Sequence, residues 1–141
     1  MYYIDTSALV AYYCPEPLSR EIQDLLGQQG KPALSALTEV EMYSAVARKV
    51  RMEELDKSDG QRILAMFAAH VDAELFQMVY LEKHHWKLAK GWIGLFSTPL
   101  RTLDALHLAV VSAESLELVT SDRLMHQCAG MLGLKSNLLS V

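Results

Sequence analysis

The chain has 141 residues, 51% apolar and 21% charged, enough apolar sequence for one hydrophobic core and the composition of an ordinary globular domain. Its net charge of −4 excludes a protein drawn onto nucleic acid by an overall basic field, while leaving room for local basic contacts. Two cysteines make no disulfide framework, no apolar run reaches membrane-spanning length, and the amino terminus lacks a signal-peptide pattern. A single cytosolic domain over 1–141 is therefore expected, with reduced thiols.

Tyr2, Tyr3 and Ile4 are aromatic or β-branched and read as a buried strand that stops at Asp5. Residues 8–13 open a helix, broken by Pro15 and Pro17. Leu18, Ile22, Leu25 and Leu26 then recur at helical spacing up to Gly30. Residues 32–37 suit a second strand. From Thr38 a helix is expected through Val40, Tyr43, Ala47 and Val50, with those residues as its apolar face and a cation-rich end at Arg48, Lys49 and Arg51. Ser58-Asp59-Gly60-Gln61 has capping-box spacing and predicts the start of the next helix. A third strand is expected over 75–81, a helix over 82–96, and a loop over 97–101. Residues 103–111 form a helix apolar nearly all round, so it should be buried on most sides. A strand over 116–122 ends in Asp122, a helix follows to about residue 132, and residues 138–141 suit a last edge strand. Strands alternating with helices predict an α/β domain: a mainly parallel sheet of four to five strands with helices on both faces.

Asp5 and Asp122 both follow strands, so a parallel sheet brings them to the same carboxyl edge, where open α/β proteins hold ligands. Each also has a plain structural use. Asp5, Thr6 or Ser7 can cap the first helix, and Asp104 can serve as a first-turn dipole partner near a Thr102 cap. Against the second, an isolated acid in so apolar a helix is costly to bury. Glu41 lies off the expected apolar face, and its i+3 and i+4 neighbours, Ser44 and Ala45, offer no ion pair. Those small neighbours leave room for a ligand, although a solvated glutamate accounts for the position equally simply.

Taken in order, Tyr3-Ile4-Asp5-Thr6-Ser7-Ala8-Leu9, Leu37-Thr38-Glu39-Val40-Glu41, Leu103-Asp104-Ala105-Leu106-His107-Leu108-Ala109 and Leu118-Val119-Thr120-Ser121-Asp122 resemble the PIN-domain nucleases over nearly the full length. A compact stand-alone domain of this kind is similar to the VapC-type toxins of toxin–antitoxin pairs. The resemblance implies a PIN-like fold and cleavage of RNA with one or two Mg²⁺ or Mn²⁺ ions. Asp5, Glu41, Asp104 and Asp122 would be the metal-binding and catalytic acids, with Glu39 competing for the second position. It further implies an antitoxin wrapped around the helices of residues 38–75, and a homodimer. The chemistry is coherent in itself. Converging carboxylates repel unless some are protonated or a hard cation with oxygen ligands joins them. Such an ion activates water for in-line attack on phosphorus, so no side chain need be a covalent nucleophile. Thr6, Thr120, Ser121 and Arg123 are candidates for holding a carboxylate or phosphate, with capping as the alternative for the hydroxyls.

His107 is expected to be a hydrogen-bonded core histidine. His84 and His85 are adjacent and are not expected to share a helix face for metal, and His126 and Cys128 lack further zinc ligands at familiar spacing. Arg48, Lys49, Arg51 and Arg101 read as solvated surface, and Tyr12 and Tyr13 as core. A haloacid-dehalogenase-type phosphatase would need an acid where Ser7 stands, and a receiver domain needs acids ahead of its phosphoacceptor strand. The remaining alternatives are a catalytically silent PIN-like binding module and a PIN nuclease of RNA processing with no toxin role.

Overall fold

A computed structural model describes residues 1–28 and 30–140. In chain order it contains β1 (Tyr2–Ile4), α1 (Thr6–Tyr13), α2 (Ser19–Leu26), β2 (Ala33–Ser35), α3 (Ala36–Arg51) and α4 (Lys57–Asp72). There follow β3 (Gln77–Val79), α5 (Lys83–Gly94), α6 (Thr102–Ala113), β4 (Glu117–Thr120), α7 (Arg123–Met131) and β5 (Ser136–Leu138). The strands pair in the order β3-β2-β1-β4-β5, and every pairing is parallel. β1 is central, and the chain reverses its direction of travel across the sheet on either side of it. The crevice beyond the carboxyl end of β1 is thus the position that this topology offers to a ligand.

Strand alternation divides the core in two. Tyr2 and Ile4, with Leu34 and Val119, face α1–α4, whereas Tyr3, Ala33 and Leu118 face α5–α7. The helices on both faces explain why the strands read as continuous apolar runs rather than alternating ones. α6 buries every residue from Ala105 to Val111, as its all-round apolar sequence requires.

Several local expectations are corrected. α4 is capped by Asp56, whose side chain accepts from the Asp59 amide at 2.7 Å, and Ser58 lies inside the first turn. Both Asp56 and Ser58 are good caps, and the earlier one starts the helix two residues sooner, about half a turn. Gly60 then allows α4 to approach α3, since a Cβ there would meet a Val50 methyl at 2.8 Å. α3 buries Thr38, Met42 and Val46, not the expected stripe: Val40 is 68% exposed and Tyr43 43%. Asp104 has no Thr102 cap before it, because Arg101 is the N-cap residue of α6 and makes no side-chain cap bond. β3 is shorter than expected, and the last strand is displaced to Ser136–Leu138, while residue 141 of the expected strand and residue 29 of the expected helical stretch lie outside the described residues.

Candidate active site

Each acid reaches the carboxyl edge by a local rule. Asp5 stands where β1 must become α1, and its extended backbone (φ −79°, ψ 175°) makes it the helix cap. Oδ1 accepts from the Ala8 amide at 3.0 Å and from the Ser7 hydroxyl at 2.7 Å. Oδ2 accepts from the Thr120 hydroxyl at 2.5 Å, which ties the ends of β1 and β4 together. Asp122 caps α7 in the same manner, its Oδ1 accepting from the amides of Leu124 (2.9 Å) and Met125 (3.1 Å). In each case capping occupies Oδ1 and leaves accepting capacity on Oδ2.

Glu41 projects from α3 with Oε1 doubly engaged, by the Thr6 hydroxyl at 2.8 Å and by Nε2 of His107 at 2.5 Å. A carboxylate only accepts, so Nε2 is the donor, and Nδ1 of a neutral ring is free to accept from the Tyr3 hydroxyl at 2.6 Å. The Tyr3 oxygen in turn lies 2.9 Å from Ser35 Oγ and 3.1 Å from Thr38 Oγ1. The result is a buried polar line from the start of α3, through β1 and α6, to Glu41. Asp104 stands apart, with no hydrogen bond or salt bridge to either oxygen among the described residues.

Burial separates the acids electrostatically. Asp5 is 3% exposed, and desolvation lifts its carboxyl above the usual range despite its three donors. Asp104 is also raised, first by burial and then by the charge of Asp122, with Glu41 adding to the effect and His107 and Arg101 opposing it. For Glu41 burial acts upward too, but the His107 hydrogen bond and charge, with the Thr6 bond, outweigh it and leave the group below its ordinary value. Asp104 feels Asp122 and Glu41 without tight contact. Among the described residues, three metal-ligating side chains come within 4.8 Å of one another only at His84, His85 and Glu114.

Of the other predicted residues, Thr6 and Thr120 each donate to an acid, and the Ser121 amide donates to Ser7 Oγ at 2.9 Å. Arg123 is exposed at the first position of α7. Glu39 points elsewhere, lining a groove with Val40, Tyr43, Phe67 and Asp72. His107 is the hydrogen-bonded core histidine that was expected, but sequence reasoning missed its link to Glu41 and the roles of Ser7 and Tyr3. The signal for His107 was its i+3 spacing from Asp104 on an otherwise apolar helix, while no local pattern joins Tyr3 to Ser35 or Thr38.

A sequence profile of the PIN domain matches residues 2–130. The chain belongs to the PIN-domain family. This PIN domain is 32% identical over 135 residues to ribonuclease VapC46 of Mycobacterium tuberculosis, a match covering 94% of this chain and 92% of the relative. Its fold is similar to that of M. tuberculosis VapC20, a toxin described as cleaving the sarcin–ricin loop (TM-score 0.74, 14% identity, 91% and 95% of the two chains). It is similar also to VapBC2 of Rickettsia felis bound to a DNA fragment from its promoter (TM-score 0.72, 15% identity, 99% and 98%). The oxygen-only donor set fits a hard divalent cation: Glu41 Oε2, Asp122 Oδ2 and both Asp104 oxygens accept no hydrogen bond among the described residues.

Proposed function

We propose that this PIN domain is a metal-dependent endoribonuclease and the toxin of a toxin–antitoxin pair. The observation that carries the reading is the delivery of Asp5, Glu41, Asp104 and Asp122 to one sheet edge, with an unengaged oxygen on three of them. Mg²⁺ or Mn²⁺ would be held by Oε2 of Glu41, Oδ2 of Asp122, the Asp104 carboxylate and the remaining capacity of Asp5 Oδ2. When bound, such an ion lowers the pKa of its water and neutralises charge developing on the phosphoryl group. The protein's own residues do the positioning. Thr6 and His107 clamp Glu41 through Oε1 and leave its other oxygen unengaged. Ser7, Thr120 and the Ala8 amide hold Asp5. Arg101, close enough to lower Asp104, and Arg123 are suited to scissile or flanking phosphates.

The VapC46 and VapC20 relatives support RNA as the substrate, and the VapBC2 complex supports an antitoxin partner. The antitoxin would cover the exposed apolar surface of α3 and α4, at Val40, Tyr43 and Met66, and a homodimer is the expected assembly of the toxin. Among the described residues no helix is long and apolar enough to cross a membrane.

The deciding experiment is cleavage of RNA by the purified protein with Mn²⁺ or Mg²⁺, beside EDTA and an Asp5→Asn, Asp104→Asn double variant. Metal-dependent cleavage that vanishes in the variant is the expected result. Absence of cleavage together with no metal effect on the melting temperature would overturn the site and leave a binding module.

A further inference from the structure

At the far end of α6 from Asp104, a second set of metal-type ligands comes together. Glu114 follows the last turn of α6, ten residues beyond Asp104, or about 15 Å along the helix axis. His84 and His85 lie in the first turn of α5, the helix packed along α6. One ligand atom from each of the three side chains lies within 4.8 Å of the others, and the two imidazole rings are 3.9 Å apart between centroids. His85 is 1% exposed, and its Nε2 is buried with no hydrogen-bond partner. Buried polar atoms are nearly always paired, so an orphaned imidazole nitrogen beside a second imidazole and a carboxylate calls for a partner. Glu82 Oε2, 3.7 Å from His84 Nδ1, adds negative potential beside the cluster.

We propose that His84, His85 and Glu114 bind a divalent transition-metal ion of the zinc type, distinct from the ion of the acid edge. Two imidazoles and one carboxylate suit zinc, and are poor ligands for Mg²⁺, which prefers oxygen. With three protein ligands, water completes the tetrahedron. One hydrogen bond must yield. Nδ1 of His85 accepts from the Glu82 amide at 2.9 Å, which puts the ring proton on Nε2. Coordination at Nε2 transfers that position to the metal, leaves the proton on Nδ1 and releases the Glu82 amide to water, which can reach this exposed residue. The ion then ties the start of α5 to the end of α6. The site stands independently of the ribonuclease reading.

The test is calorimetric titration of metal-free protein with Zn²⁺, in excess Mg²⁺ to occupy the acids. His84→Ala and Glu114→Gln are the variants, both at exposed positions, and Asp104→Asn is the control. One Zn²⁺ per chain should bind, about tenfold or more weaker in each of the first two variants and unchanged in the control. Nitrogen NMR should show the His85 proton moving from Nε2 to Nδ1 as Zn²⁺ is added. No saturable binding, equal binding by His84→Ala, or loss of binding in Asp104→Asn instead would each overturn the site.

Discussion

At Asp104, burial and the neighbouring charge of Asp122 act in the same direction, and no hydrogen bond among the described residues offsets them. Asp5 is raised by burial as well. In the folded protein these two carboxyls hold their protons at pH values where the unfolded chain, titrating near about pH 4, has released them. Their stabilising contribution is therefore full at low pH and is lost as pH rises through the raised folded values. Glu41 has the opposite sign: its contribution is present above the unfolded carboxyl range and is lost as pH falls through it, so it does not affect the neutral-side slope. In EDTA the melting temperature should fall as pH rises above the carboxyl range of the unfolded chain. Asp104→Asn should flatten that slope, and Mg²⁺ should restore stability in the wild type but not in the variant. The line from Tyr3 to Glu41 makes a different demand. Tyr3→Phe strips a donor from His107 and a partner from Ser35 and Thr38, and should cost about 1–3 kcal/mol in urea denaturation. His107→Ala leaves Glu41 Oε1 held by the Thr6 hydroxyl alone and should raise the Mn²⁺ concentration needed for cleavage by about 10- to 100-fold.

At α7 one residue caps its element and also belongs to the proposed site, and the two roles can be tested apart. Asparagine caps as well as aspartate, so Asp122→Asn should leave stability nearly unchanged, whereas Asp122→Ala should lose about 1 kcal/mol of it. Both should abolish cleavage, and thermal melts beside an RNA assay separate the two roles. The same duality made the shared sheet edge legible from sequence. A strand that stops at an acid and turns into a helix marks both a boundary and a sheet edge, so Asp5 and Asp122 could be placed together before any coordinates. α3 was harder, because Val40 and Tyr43 are as apolar as Met42 and Val46. Local pattern cannot say which of two stripes meets the sheet and which is left for a partner. At α4 two good caps stood two residues apart, and the boundary went to Asp56. The pairing of Tyr3 with Ser35 and His107, and of His84 and His85 with Glu114, depends on packing between elements and leaves no mark in spacing.

Across the whole molecule, the acid edge and the exposed apolar surface of α3 and α4 involve different residues, so inhibition and catalysis should be separable. Val40→Glu and Tyr43→Ser should keep the melting temperature and RNA cleavage of the parent while losing tight association with the antitoxin, read by co-purification of the pair. The central pairing of β1 with β4 bears on how the protein is made. The bond from Thr120 to Asp5 spans 115 residues, so the first strand to leave the ribosome waits for one of the last. Until β4 emerges, a nascent chain has Asp5 without its Thr120 partner, and no Asp122 at all. A cell translating this message thus holds, for most of the elongation time, a chain that cannot close its central pairing. The order of synthesis sets a delay between the first strand and the finished sheet edge.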